Sequence, residues 1–244
     1  MKVKIGCCGF PVGKKQYLAR FKVVEVQQTF YQPPRPETAR RWRELAPPGF
    51  EFTLKAWQLI THEAASPTYR RLKKALTEAE RQQAGAFKPT PVVREAWNAT
   101  REIAGALEAR VIVFQCPAKF DPSPEHIKNL RRFFGELNRH NFVMAWEPRG
   151  EWPREEVQRL CEELALVPVV DPFAGPPYPG PLAYFRLHGK TGYRYRYTEQ
   201  DLAELAALVQ GREEVYVMFN NMSMWEDAQA FSEYLTGHKA GKAG

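Results

Sequence analysis

The sequence predicts an α/β protein, a single (β/α)8 TIM barrel. Eight short β-branched or aromatic runs recur along the 244 residues, and amphipathic helix-like segments separate most of them. The runs are nearly continuous in apolar residues, which is typical of parallel strands covered on both faces. No shift in composition marks a domain boundary. We therefore expect one domain over residues 1–238 and a flexible tail over residues 239–244.

The predicted strands are bounded by glycine, proline and polar clusters, as strands usually are. They lie at residues 2–9, 23–31, 50–57, 110–117, 141–148, 165–172, 182–189 and 214–221.

The helices between the strands carry recognisable start signals. Pro36 stands at a first helical position, and Ser123 is an N-cap residue directly before Pro124. Thr198 is a second N-cap residue, with Asp201 three positions later. Alternation of strands with such helices indicates parallel β-α-β units.

Two connections depart from regular alternation. Residues 61–109, between the third and fourth strands, are long enough for two helices and predict an extra helix, with a break at 87–91. The segment DPFAGPPYPGP, between the sixth and seventh strands, is too rich in proline to be helical. We expect an irregular loop there.

Composition restricts the protein class. Hydrophobic residues make up 44% of the chain, enough for a sizeable core, and the formal net charge is +7. No apolar run reaches the length of a membrane span, and the N-terminus has no signal-peptide pattern. The four cysteines form no C-x-x-C pair, which favours free thiols in a reducing compartment. We expect a cytoplasmic protein with no membrane partner.

Polar residues of one parity recur near the carboxyl ends of seven successive predicted strands. Side chains alternate along a strand, so one parity points into the barrel. TIM-barrel active sites lie at the carboxyl ends of the strands, and this coincidence predicts a site there. The same charges could instead form a structural ion-pair network inside the barrel. The catalytic candidates are Glu25, Glu147, Asp171 and His188, and the substrate-binding candidates are Lys55, Gln115, Arg149, Arg186, Lys190, Tyr193 and Asn220.

These residue types suit acid–base chemistry on an anion. Arginines bind phosphate or carboxylate groups by paired hydrogen bonds, and a histidine can transfer protons near neutral pH. No cofactor is required by the sequence. A single divalent metal could be held by His62, Glu147 and Asp171, but we rank metal-free chemistry first.

The strand ends together resemble a known family. The motifs IGCCGF, VEVQQTFY, ITHE, FQCP, WEPRGEW, VVDPF, YFRLHG and FNN occur in this order. Over residues 4–231 the chain is similar to the YecE-like family, known as domain of unknown function 72. The resemblance implies a TIM barrel whose activity is not established. Cys7, Cys8 and Gln27 depart from the family's more common Thr, Ser and Asn.

Three functions are compatible with the sequence. The first is an enzyme, a hydrolase, lyase or isomerase, that acts on a small anionic substrate. The second is a nucleic-acid-binding or nuclease-like protein, suggested by the net charge, by RRLKK at 70–74 and by YRYRY at 193–197. For this alternative, the resemblance to endonuclease-IV-type barrels is an analogy of fold. The third is a binding protein without catalysis.

Overall fold

The computed structural model describes residues 1–240. Its strands are parallel and close into a barrel in which neighbours follow sequence order, which confirms the predicted (β/α)8 fold. The strands are β1 (Lys2–Cys8), β2 (Val23–Val26), β3 (Glu51–Lys55), β4 (Val111–Gln115), β5 (Val143–Glu147), β6 (Val167–Val170), β7 (Leu182–Leu187) and β8 (Glu214–Phe219).

Helices follow the strands, and none in the described part of the chain is long and apolar enough to cross a membrane. They are α1 (Lys14–Arg20), α2 (Gln28–Tyr31), α3 (Pro36–Leu45), α4 (Gln58–Thr61), α5 (Glu78–Gln83), α6 (Pro91–Ala106), α7 (Pro124–Glu136), α8 (Arg154–Glu163), α9 (Glu199–Leu208) and α10 (Met224–Ala240), with a 3₁₀ helix at Pro67–Arg71.

The predicted helix starts and irregular connections are present. The Ser123 hydroxyl accepts a hydrogen bond from the His126 backbone N–H, and Thr198 forms a capping box with Asp201. Residues between β3 and β4 contain α5 and α6 on either side of the predicted break, and residues 171–181 are irregular. The last helix extends to Ala240, and residues 241–244 of the predicted tail lie outside the described residues.

The second strand is shorter than the sequence indicated. It ends at Val26, and the rest of the predicted run forms α2, so the extended alternation expected for Gln27 and Thr29 is wrong. The Thr29 hydroxyl donates to the carbonyl oxygens of Val26, at 2.9 Å, and Lys55, at 2.6 Å. Such side-chain bonds to the backbone compete with a continued ladder. The third strand likewise ends at Lys55, two residues before Trp57.

The chain forms two compact units. The terminal unit contains Met1–Glu25, Pro48–Phe50 and the described residues from Val169 onward. The central unit contains Val26–Pro47 and Glu51–Pro168.

The terminal unit is built around β1, β7 and β8. β8 pairs with both β1 and β7. The buried Tyr17 hydroxyl links β1 to β2, because it accepts from the Cys7 backbone N–H at 2.7 Å and donates to the Val23 carbonyl oxygen at 2.9 Å. Trp225 of α10 packs edge-on against Phe21 beside it. These contacts fix β1 and β2, from which Glu25 extends.

The central unit has an aromatic core. Phe114 of β4 contacts Phe133 and Phe134 of α7, and Phe87 contacts all three rings. Trp97 of α6 packs against the same cluster. Burial of such large rings is a major stabilising contribution, and it anchors the helices around β4.

Candidate active site at the carboxyl ends of the strands

A buried ion pair occupies the terminal unit. The Arg186 guanidinium contacts Glu25 Oε1 at 3.0 Å, and the Tyr184 hydroxyl donates to Glu25 Oε2 at 2.7 Å. Glu25, Tyr184 and Arg186 are all 0% exposed, and the Tyr184 ring stacks on Tyr216. Two charges removed from water in this way depend on their mutual pairing and on further hydrogen bonds.

A second set of polar groups lies just past the ends of β6, β7 and β8. The amide nitrogen of Asn220 is 3.1 Å from His188 Nδ1, and the His188 backbone N–H donates to Asp171 Oδ2 at 2.8 Å. The other carboxylate oxygen of Asp171 accepts from the Phe173 backbone N–H at 3.1 Å. All three of Asp171, His188 and Asn220 are half-buried, so solvent reaches them.

The loop after β7 is held by ion pairs. Lys190 Nζ contacts Asp201 Oδ1 at 2.6 Å and Glu204 Oε2 at 2.9 Å. Hydrogen bonds to these two carboxylates raise the pKa of Lys190. Tyr193 is 57% exposed and its ring lies edge-on to His188.

Asp201 is the anchor of this loop. It accepts from the Tyr195 hydroxyl at 2.6 Å and from the Thr198 backbone N–H at 2.8 Å. Burial alone would raise the pKa of Asp201, but the hydrogen bonds from Lys190, Tyr195 and Thr198 hold it well below its usual range.

In the central unit, Lys55 is buried against an aromatic ring. Its ammonium is 3.6 Å from the centre of the Phe30 ring, a cation–π contact, and the Phe30 ring also lies edge-on to His62. Burial, with a smaller effect of the Lys55 charge, lowers the pKa of His62 to about 3. His62 Nδ1 is 2.8 Å from the Thr61 hydroxyl. His62 is therefore neutral at physiological pH.

An ion pair of the central unit lies at the end of β5. Arg149 Nε contacts Glu147 Oε1 at 2.8 Å, with Glu147 buried and a third of the Arg149 side chain exposed. Gln115 at the end of β4 is in register with Glu147, and the Cys116 backbone N–H donates to the Glu147 carbonyl oxygen at 2.9 Å. Adjacent strand ends thus position a carboxylate and an amide side by side.

A metal ion is held by several ligand side chains that lie close together, rather than by one ion pair. Within the described residues, no group of three or more histidines, cysteines or carboxylates lies close enough to hold an ion. The idea that His62, Glu147 and Asp171 hold a metal stays a prediction.

Several groups that complete these contacts were not predicted from the sequence as site residues. Tyr184 was not among the predicted site residues, and Asp201 was predicted only as a capping residue. Tyr197, whose hydroxyl accepts from the Gly189 backbone N–H at 2.9 Å, was read as a nucleic-acid contact. A tyrosine in the inward parity beside a buried charge is the signal that could have identified Tyr184.

Comparison with known proteins identifies relatives of this chain. Residues 14–242 match the family described as protein of unknown function DUF72. A DUF72 family protein from Enterococcus faecalis V583 has a similar structure, with a TM-score of 0.72 and 22% identity over 96% of this chain and 98% of that one. A DUF72 family protein from Thermotoga maritima MSB8 gives 0.68 and 22%, over 97% and 100%.

More distant structures share the fold. A D-psicose 3-epimerase from Clostridium cellulolyticum H10 has a TM-score of 0.55 and 12% identity, over 96% of this chain and 98% of that one. No curated protein matches the chain. At these identities the structural likeness concerns the fold alone.

Proposed function

The chain belongs to the DUF72 family of proteins of unknown function, and we propose that it is an enzyme that acts on a small anionic substrate by acid–base chemistry. The observation that carries the proposal is the hydrogen-bonded set of Asp171, His188 and Asn220 just beyond β6, β7 and β8. In TIM barrels, catalytic residues come from the ends of several strands at this face. The epimerase likeness adds only the fold.

His188 is the proton-transferring group in this proposal. An amide nitrogen only donates, so Asn220 donates to Nδ1, and the neutral ring keeps its proton on Nε2. This contact selects one tautomer and one ring orientation, as second partners of catalytic histidines commonly do. Because His188 is half-buried, a substrate can reach the ring.

Asp171 and Glu25 take positioning roles in this proposal, although the sequence indicated catalytic ones. Both carboxylate oxygens of Asp171 accept backbone N–H groups, one of them from His188 itself. Glu25 is completely buried against Arg186 and has no exposed surface for a substrate. In these roles, the contacts of Asp171 and Glu25 stabilise the strand ends that carry His188.

The anionic character of the substrate is supported by other features. The net charge of +7 favours anions, and in the central unit the exposed part of Arg149 can contact one. Glu147 contacts Nε of Arg149 and so orients the guanidinium. Lys55 is buried against Phe30, so an anion would have to displace this contact to reach it.

A substrate panel tests the proposal. Phosphorylated and carboxylated metabolites are incubated with the protein, and turnover is followed by mass spectrometry. His188→Gln should lower kcat by roughly 10²–10⁴-fold, the usual contribution of a general acid or base. His140→Asn is the matched control, because His140 is exposed and its positive φ of 46° suits asparagine.

The outcomes separate catalysis from binding. Turnover that His188→Gln leaves unchanged contradicts the assignment of His188. Binding of a panel member without turnover supports a ligand-binding protein instead.

Nucleic-acid binding is the second candidate, and one observation favours it. Tyr193 is 57% exposed and is followed by the exposed Arg194, so a base could stack while a phosphate contacts the guanidinium. The other two tyrosines of the segment 193–197 do not offer this, because Tyr195 bonds to Asp201 and Tyr197 is buried. Salt titration of fluorescent oligonucleotide binding, with Tyr193→Ala and Arg194→Gln, tests it. If neither added salt nor these variants lower the affinity for the oligonucleotides, this function is excluded.

A further inference from the structure

A cavity in the central unit lies between the loops that follow β3 and β4. Its volume is about 240 Å³, and we call it the loop cavity. None of the candidate active-site residues lines it. The lining residues used below are Thr61, Glu63, Ala86, Lys119, Phe120 and His126.

One wall of the loop cavity is preformed by stacked rings. Phe120 lies nearly parallel to the rings of His126, at 4.5 Å, and Trp152, at 5.7 Å. The Trp152 indole N–H donates to the Phe120 carbonyl oxygen at 2.6 Å. A Cβ at Gly150 would approach that same oxygen to 2.8 Å, so the two loops are in close backbone contact. This wall needs no rearrangement to receive a ligand.

Another part of the lining contains strained backbone. Gly85, Ala86 and Phe87 are three successive residues with positive φ, at 82°, 50° and 52°. Their strain is held by backbone hydrogen bonds, such as those from Gly85 N–H to Leu59 O and from Phe87 N–H to Ile60 O. Non-glycine residues in this region cost energy and are concentrated at ligand-binding segments. Ala86, one of these strained residues, lines the cavity itself.

The charges at the rim indicate the sign of a ligand. Glu63 is paired with Lys88 at 2.7 Å, and His126 Nδ1 is paired with Asp121 at 2.8 Å. Lys119 makes no ion pair or hydrogen bond within the part of the chain that the structure describes. The exposed Lys119 ammonium therefore favours an anionic group at the mouth of a largely apolar cavity.

We propose that the loop cavity binds a small aromatic carboxylate. Its volume of about 240 Å³ exceeds that of an apolar cavity of roughly 150 Å³ that binds benzene, so a single ring with a short acidic group fits. The ring packs against Phe120 and Ala86, and the carboxylate pairs with Lys119. This site shares no residue with the proposed catalytic set around His188, and its test does not depend on turnover.

Sodium benzoate is the probe, with benzamide as its uncharged analogue. Binding to the full chain is measured by saturation-transfer NMR and by calorimetry. Lys119→Gln should weaken benzoate roughly tenfold, equivalent to about 1.4 kcal/mol, and leave benzamide unchanged. Lys128→Gln, an exposed lysine of α7 outside the cavity, is the matched control and should change neither.

A steric variant tests the location. Ala118→Trp fills the loop cavity from an exposed lining position and should abolish binding of both probes, and Ala65→Trp does the same from the other loop if the first variant is unstable. The proposal is overturned if benzoate does not bind at about 20 mM, where a millimolar site is nearly full. Binding that survives a folded tryptophan variant, or that Lys128→Gln weakens as much as Lys119→Gln, overturns it as well.

Discussion

The buried pair of Glu25 and Arg186 makes a strong prediction about stability. Glu25→Gln keeps the shape of the side chain but removes its charge, so the guanidinium that contacts Oε1 at 3.0 Å loses this anionic contact while 0% exposed. Removing one partner of a buried pair typically costs about 3–5 kcal/mol, because the remaining charge is desolvated without compensation. We expect a loss of this size in the free energy of unfolding.

The measurement is equilibrium unfolding in urea, followed by both circular dichroism and tryptophan fluorescence to verify a single transition. For a domain of this length, each kcal/mol shifts Tm by about 2–4 °C, so Tm should fall by about 6–20 °C. Glu136→Gln is the control. Its partner Arg132 lies 2.9 Å away, but these side chains are 63% and 51% exposed. An exposed pair contributes only about 0–1 kcal/mol.

A second substitution identifies the cause of the loss. Arg186→Met in the Glu25→Gln background removes the buried cation as well, so the double variant should be more stable than Glu25→Gln alone. Two results would refute the reasoning. One is a cost for Glu25→Gln no larger than that of the exposed control, and the other is a double variant that loses still more stability.

Three further predictions concern loops and titration. Gly189→Ala should cost about 1–3 kcal/mol more than Gly192→Ala in urea unfolding, because both have positive φ but only at Gly189 would a Cβ overlap the carbonyl of residue 192. His62 is protonated below about pH 6.5 in the unfolded chain but only below about pH 3 in the folded chain. The free energy of unfolding should therefore decrease as the pH is lowered from about 6.5 to about 3, and His62→Gln should flatten that slope. Asp201→Asn releases the loop, so trypsin should cleave after the exposed Arg194 faster than in the wild type, and an unchanged rate would contradict the anchoring role.

Strand positions were predictable because each β-run is apolar and separated by clear helix or turn signals. The eight predicted runs each contain an observed strand, and the caps at Ser123 and Thr198 are as expected. The end of β2 was not predictable, because the Thr29 hydroxyl finds a partner in the Lys55 carbonyl, 26 residues away in the chain. Local pattern carries no information about such a contact.

The candidate site shows the same division. Inward parity identified Glu25, Arg186 and His188 as neighbours of one interior, and residues of matching parity do interact there. Parity could not distinguish a side chain sealed inside the barrel from one that solvent reaches. That difference depends on which groups cover each side chain, as Tyr184 and the surrounding strands cover Glu25. The loop cavity was also unpredictable, since Ala86 and Phe87 adopt positive φ through contacts with residues 59–61 rather than through their own preferences.

Depth along β7 explains how one strand can serve both stability and chemistry. Tyr184 and Arg186 share a parity and are completely buried, whereas His188, of the same parity, comes just after the strand end and is half-buried. Glu25 contacts both Tyr184 and Arg186, whereas Asn220 orients His188. A substrate that enters at the carboxyl ends of the strands therefore meets His188 before any group of the buried pair. This order makes a loss of turnover without a loss of stability the expected signature of His188→Gln, and a loss of stability the expected signature of Glu25→Gln.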